Sequence, residues 1–246
     1  MIGVFDSGVG GLSVLKRMKE LMPSANFIYY ADSKNCPYGT KSLEEIYNLT
    51  LAGCKKLVSL GAEVIVIACN TASLVINQVK EKIDKPIYDI ILPNLIEMKK
   101  IMKRKILLLG TIKTIEGKVY ETLLNKNNEC IAKEAQLLTT LAENMQIGEE
   151  TTKNYINKLL NGFENCDMLI LACTHFPLFN CYFEKYNNLE IYDCGASLAT
   201  IVAKLKFDFI KTEDQFYTSG EIDTFTKQIN YYGFEGKING ASLDYS

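Results

Sequence analysis

Glu63-Val64-Ile65-Val66-Ile67-Ala68-Cys69-Asn70-Thr71-Ala72-Ser73 passes, between one residue and the next, from β-branched apolar side chains to small polar ones. A short apolar run bounded in this way reads as a strand buried on both faces of a parallel sheet, followed by a turn into a helix. Met168-Leu169-Ile170-Leu171-Ala172-Cys173-Thr174-His175 has the same form 104 residues further on. At that one offset Asp6-Ser7 falls on Gly110-Thr111, and Ile87-Tyr88-Asp89 falls on Ile191-Tyr192-Asp193. A common offset over three strand ends is the mark of an internal repeat. It predicts two related α/β units.

Outward from these segments, strands are expected at Ile2–Phe5, Phe27–Tyr30, Val64–Ala68, Ile87–Ile91, Ile106–Leu109, Met168–Ala172, Glu190–Tyr192 and Phe216–Thr218. Between them, Leu12, Leu15, Met18 and Met22 recur on one helical face, and Ser42-Leu43-Glu44-Glu45 is a capping box that opens a helix running toward Gly61. Strands alternating with helices give an α/β fold of two pseudo-symmetric units, each a mainly parallel sheet flanked by helices. The first unit is expected over residues 1–95 with the tail 208–246 packed back on it, and the second over 96–207. In such sheets ligands sit beyond the carboxyl ends of the strands, so the active site is expected in the cleft between the units.

The chain has 246 residues, 48% of them hydrophobic, enough for a sizeable core. A net charge of −2 offers no field to attract a phosphate backbone or an anionic membrane, so neither nucleic acid nor a membrane is an expected partner. No apolar stretch approaches the roughly 20 residues that cross a bilayer, and the N-terminus lacks the form of a signal peptide, so a cytoplasmic protein is expected. Its eight cysteines then read as thiols. There is no Cys-x-x-Cys pair and His175 is the single histidine, which removes zinc-type ligand spacing. Neither a Walker loop nor a full Gly-x-Gly-x-x-Gly occurs. No metal and no cofactor are expected, and the chemistry falls to side chains.

Asp6, Ser7, Cys69, Asn70, Thr71, Thr111, Cys173, Thr174 and His175 all fall at the carboxyl ends of the expected strands. Inverting a stereocentre that bears hydrogen needs one group to take the proton from one face and another to return one to the opposite face. Two thiols on opposing units, one as thiolate, suit that task. Cysteine is also among the most buried residue types, so on the residues alone the pair reads equally as structural. Cys36, Cys54, Cys130, Cys166, Cys181 and Cys194 are read as buried structural residues. Asp6 by itself reads as a cap of the following helix, His175 as a strand-end histidine that can also tune Cys173, and Cys36-Pro37-Tyr38-Gly39 as a turn.

Taken together, Asp6-Ser7-Gly8-Val9-Gly10-Gly11-Leu12, Pro37-Tyr38-Gly39, Ala68-Cys69-Asn70-Thr71-Ala72-Ser73 and Cys173-Thr174-His175-Phe176-Pro177-Leu178 closely resemble, in order, the motifs of the glutamate racemase family within the aspartate/glutamate racemase superfamily. Gly110-Thr111, Asp193-Cys194-Gly195-Ala196 and Phe216-Tyr217-Thr218-Ser219-Gly220 extend the similarity over nearly the whole chain. The resemblance implies cofactor-independent racemisation of glutamate that supplies D-glutamate for peptidoglycan, in an enzyme that is often a homodimer. It implies Cys69 and Cys173 as acid/base catalysts, with Asp6 assisting the first and His175 the second. It also implies that Asp6, Ser7, Pro37, Tyr38, Gly39, Cys69, Asn70, Thr71, Thr111, Glu143, Cys173, Thr174 and His175 hold the substrate. The family's Pro- and Val-containing stretch before a glutamate reads here Ala135-Gln136-Leu137-Leu138-Thr139-Thr140-Leu141-Ala142-Glu143, which matches Glu143 to that glutamate. A related aspartate or hydantoin racemase is the nearest alternative, aspartate being the harder to exclude because one methylene shifts preference by only about 1–3 kcal/mol. An arylmalonate decarboxylase keeps one of the two cysteines, whereas a noncatalytic amino-acid-binding protein needs neither.

Overall fold

The structure is a computed structural model that describes residues 1–186, 189–205 and 213–243. Its strands are β1 (Ile2–Asp6), β2 (Phe27–Ala31), β3 (Val64–Ile67), β4 (Ile87–Asp89), β5 (Lys105–Gly110), β6 (Glu129–Glu134), β7 (Met168–Ala172), β8 (Glu190–Asp193), β9 (Gln215–Thr218) and β10 (Lys237–Gly240). The helices are α1 (Gly11–Leu21), α2 (Leu43–Ser59), α3 (Asn70–Ser73), α4 (Ile76–Lys80), α5 (Ile91–Met98), α6 (Ile112–Glu116), α7 (Val119–Leu124), α8 (Gln136–Glu143), α9 (Glu150–Leu160), α10 (Asn180–Phe183), α11 (Cys194–Ala203) and α12 (Ile222–Tyr231).

Two sheets form, in the orders β10-β9-β2-β1-β3-β4 and β6-β5-β7-β8, and every pairing is parallel. The second order repeats the β2-β1-β3-β4 core of the first. The repeat extends to register: β1 pairs with β3 as Ile2 with Val64, and β5 with β7 as Ile106 with Met168. β3 pairs with β4 as Ile67 with Asp89, and β7 with β8 as Leu171 with Asp193. Each pairing is carried onto its counterpart by the 104-residue offset seen in the sequence. The boundary expected between residues 207 and 208 lies outside the described residues.

The alternation of side chains along each strand assigns three apolar layers. Ile2, Val4 and Val66 of the first sheet and Ile106, Leu108 and Ile170 of the second belong to one shared core, filled by Leu12, Val14, Leu15 and Met18 of α1, Leu198, Ala199 and Val202 of α11, and residues of α5, α7 and α12. On the outer face of the first sheet Phe5, Ile28, Ile65 and Ile67 pack under α2 and α4. On that of the second, Leu107, Leu109, Leu169 and Leu171 pack under α8 and α9. The stack is therefore helices, sheet, helices, sheet, helices, with the middle layer common to both units. No helix of the described residues is long and apolar enough to cross a membrane.

Two strands escaped the sequence reading. β6, Glu-Cys-Ile-Ala-Lys-Glu, and β10, Lys-Ile-Asn-Gly, are edge strands, half solvated and carrying the charges that blunt an edge, so neither shows an apolar run. The capping box stands as read: Ser42 Oγ accepts from Glu45 N–H at 3.2 Å while Glu45 Oε2 accepts from Ser42 N–H at 2.8 Å. Asp6 does not cap α1. Its Oδ1 accepts from Gly8 N–H two residues on, and the cap position is Gly10.

Gly53 lies in the middle of α2 against the Phe5 ring, where an added Cβ meets ring carbon at 2.1 Å. Replacing an interior helical glycine by alanine ordinarily stabilises by about 1 kcal/mol. Here Phe5 is itself stacked on Tyr30 and tilted against Tyr38, so the ring has nowhere to go. Gly53→Ala is expected to reverse the usual sign and destabilise by about 1–3 kcal/mol, read from the midpoint of urea unfolding.

Candidate active site

β3 ends at Ile67 and β7 at Ala172; Cys69 follows the first by two residues and Cys173 the second by one, both at the carboxyl edges of their sheets. Cys69 is the N-cap of α3, with its sulfur accepting from Ala72 N–H at 3.4 Å, and it faces Ser7 Oγ at 3.6 Å. The Cys173 sulfur lies 3.7 Å from His175 Nδ1 and 3.9 Å from Thr139 Oγ1. Both cysteines line one enclosed cavity together with Ser7, Pro37, Tyr38, Gly39, Asn70, Thr71, Thr111, Thr174 and His175. The fold thus brings together the expected site residues of five separated segments: Ser7, Pro37 to Gly39, Cys69 to Thr71, Thr111, and Cys173 to His175. The cavity has about 10 Å³, room for at most one water.

Asp6 and Glu143 stand behind this wall. Asp6, fully buried, accepts from Gly8 N–H at 3.0 Å and from the Thr174 hydroxyl at 3.1 Å. Burial, partly offset by the His175 charge, raises its pKa from 3.8 to about 6. No direct hydrogen bond joins Asp6 to Cys69; the carboxylate acts on that thiol through its charge, and burial together with this charge pushes Cys69 up to about 12. Glu143 Oε1 accepts from Val9 N–H at 2.8 Å and pairs with His175 Nε2 at 2.7 Å, while Gln228 of α12 donates to the Glu143 carbonyl at 2.7 Å. Burial alone would lower the pKa of His175. The hydrogen bonds and charges of Cys173 and Glu143 outweigh it and hold the imidazole well above its ordinary value. A continuous line of contacts therefore runs Gln228–Glu143–His175–Cys173.

The glycine-rich turn after β1 makes this approach possible. A Cβ on Gly8 would stand 1.9 Å from Glu143 Oε1, and one on Gly10 would stand 2.4 Å from His175 Nδ1. The anion that the turn admits is the protein's own carboxylate. The Pro37-Tyr38-Gly39 loop is more than a plain turn: the Tyr38 hydroxyl donates to Asp32 Oδ2 at 2.6 Å, and Gly39 is pressed against Thr111 and Gln136.

Three residues at the site were missed by the sequence reading. Asp32, buried at the end of β2, anchors Tyr38. Gln136 and Thr139 of α8 line the cavity, and both sit in the stretch that departs from the family pattern. They follow the unrecognised β6, so nothing marked them as strand-end residues. Two of the structural cysteine assignments need correction. Cys181 is exposed, and Cys36 is half-buried with its sulfur beside Glu143 and His175, the three ligand atoms lying within 4.8 Å of one another. Sequence spacing could not show that grouping, because its members come from three separate segments.

A model of the Asp/Glu/Hydantoin racemase family matches residues 2–202. The chain belongs to that family. It is 35% identical over 242 residues to a glutamate racemase of Thermoanaerobacter pseudethanolicus, covering 92% of this chain and 90% of that protein. It is 33% identical to the glutamate racemase of Aquifex pyrophilus over 88% of each. Among solved structures, a glutamate racemase isoform of Bacillus anthracis superposes with a TM-score of 0.88 at 26% identity, covering 99% of this chain and 97% of that one. The Escherichia coli glutamate racemase in complex with L-glutamate and an activator superposes with a TM-score of 0.81 at 25% identity, covering 99% and 98%. An aspartate racemase of Picrophilus torridus shares the fold at a TM-score of 0.59, 23% identity, and 84% and 94% coverage.

In this racemase fold Asp6 carries a stability cost. Its raised pKa means that ionisation is penalised only in the folded state, so the cost is present above pH 6 and fades as pH falls toward 3.8. Asp6→Asn is expected to melt higher than the parent at pH 7.5, by up to roughly 3 kcal/mol of stability, with the difference closing near pH 4. Melting temperature against pH for the two proteins checks it.

Proposed function

We propose that this chain interconverts L- and D-glutamate without a cofactor, by moving the α-proton between Cys69 and Cys173. The observation that carries the reading is the arrival of two thiols, from equivalent strand ends of repeated units, in one enclosed cavity. The glutamate racemase relatives supply the substrate.

The mechanism follows from the two surroundings. Burial and the Asp6 charge keep Cys69 protonated, which makes it the donor. Cys173 faces an imidazole that Glu143 helps to keep charged, and that cation balances a thiolate. Cys173 takes the α-proton, the electron pair left on carbon is drawn toward the carboxylate, and Cys69 delivers its proton to the opposite face. Negative charge on the carboxylate meets buried N–H donors at the start of α3 and the unpartnered Nδ2 of Asn70. The reverse direction begins with the protons exchanged. The loop bearing Tyr38 and Gly39 must open for an amino acid to enter, since the cavity is far smaller than the ligand. The same reading makes the protein a cytoplasmic homodimer that supplies D-glutamate for peptidoglycan, with domains 1–95 plus 208–246 and 96–207.

Incubation with either enantiomer of glutamate in deuterated buffer, without added cofactor, is expected to show loss of the α-proton by NMR and decay of optical rotation to zero. Cys69→Ser and Cys173→Ser are each expected to abolish racemisation with the melting temperature preserved. Substantial turnover in either variant would remove the two-base assignment. Activity on aspartate alone would keep the mechanism and move the substrate.

A further inference from the structure

Gln136 is the first residue of α8, and its side-chain amide is held by one end only. Its Oε1 accepts from Ile112 N–H at 3.4 Å at the start of α6, whereas its Nε2 is buried without a hydrogen-bond partner. A buried amide N–H that lacks an acceptor costs about 1–3 kcal/mol, so a cavity-lining group of this kind is complete only when a ligand supplies one. Gln136 lines the same cavity as Cys69 and Cys173.

The contacts divide the cavity wall into two corners. Cys69 with Ser7, Cys173 with His175, and Asp6 with Thr174 make the corner where the proton moves. Gln136 belongs to the other: Gly39 presses on its Oε1, where an added Cβ would stand at 2.0 Å, and Thr111 lies beside Gly39 and is bonded to Thr71 at 2.9 Å and to Thr114 at 2.9 Å. The substrate α-carbon has to lie between the thiols, so the group that reaches the second corner is the far end of the side chain. That corner offers neutral donors and no cationic side chain, which suits a carboxylate held by several hydrogen bonds. Gly39 of the Tyr38 loop packs directly onto Gln136.

We propose that Gln136 determines side-chain specificity, its Nε2 donating a hydrogen bond to the side-chain carboxylate of the amino-acid substrate. The inference deepens the proposed glutamate racemisation and rests on it. Gln136 touches the end of the substrate remote from the reacting carbon, so it contributes binding that is equal in the ground and transition states.

The test is steady-state racemisation by the wild type, Gln136→Leu and Gln136→Glu, with competitive inhibition by norvaline, which has an apolar end in place of the side-chain carboxylate. Gln136→Leu is expected to raise KM for glutamate at least tenfold with kcat held within about threefold. Norvaline inhibition should be unchanged in that variant. Gln136→Glu, which places like charge on the carboxylate, is expected to raise KM further. Melting temperatures report folding of each variant. An unchanged KM in Gln136→Leu, or equal weakening of glutamate and norvaline, would overturn the assignment of Gln136 alone. Wild-type protein inert toward glutamate would overturn the function and this inference together.

Discussion

Both sheets depend on one shared apolar layer. Ile2, Val4 and Val66 from one sheet and Ile106, Leu108 and Ile170 from the other converge on α1 and α11, with α5, α7 and α12 completing the layer. Burying this layer is the main favourable term available to the pair. It also fixes geometry, because two parallel sheets packed on one helical layer hold their carboxyl edges in a set relation. The thiols after β3 and β7 line a common cavity at those edges.

The chemistry is built on groups that the same burial makes costly. Asp6, Glu143 and His175 sit close together, and each is tolerated through specific partners: Gly8 N–H and the Thr174 hydroxyl for Asp6, Val9 N–H and Gln228 for Glu143, Glu143 and Cys173 for His175. The partners come from opposite units and from the tail. The two units therefore meet through this network, and the absence of side chains at Gly8 and Gly10 is what lets them approach. A cavity of about 10 Å³ leaves room for at most one water beside the thiols.

The sequence by itself determined the architecture of the repeat and most of the cavity wall. Central parallel strands are buried on both faces, so β1, β3, β5 and β7 announce themselves as apolar runs, and the residues that end those runs include Asp6, Cys69, Thr111 and Cys173 of the candidate site. Only the tertiary structure decided what stands behind them. The edge strand β6 is half solvated and carries charge, which hid it, and with it went the strand-end position of Gln136 and Thr139. Cys36, Glu143 and Gln228 meet partners far away in the chain, and no local period or spacing encodes such pairs. Local pattern records which face of an element is buried; which buried group meets which is set by the packing of the whole chain.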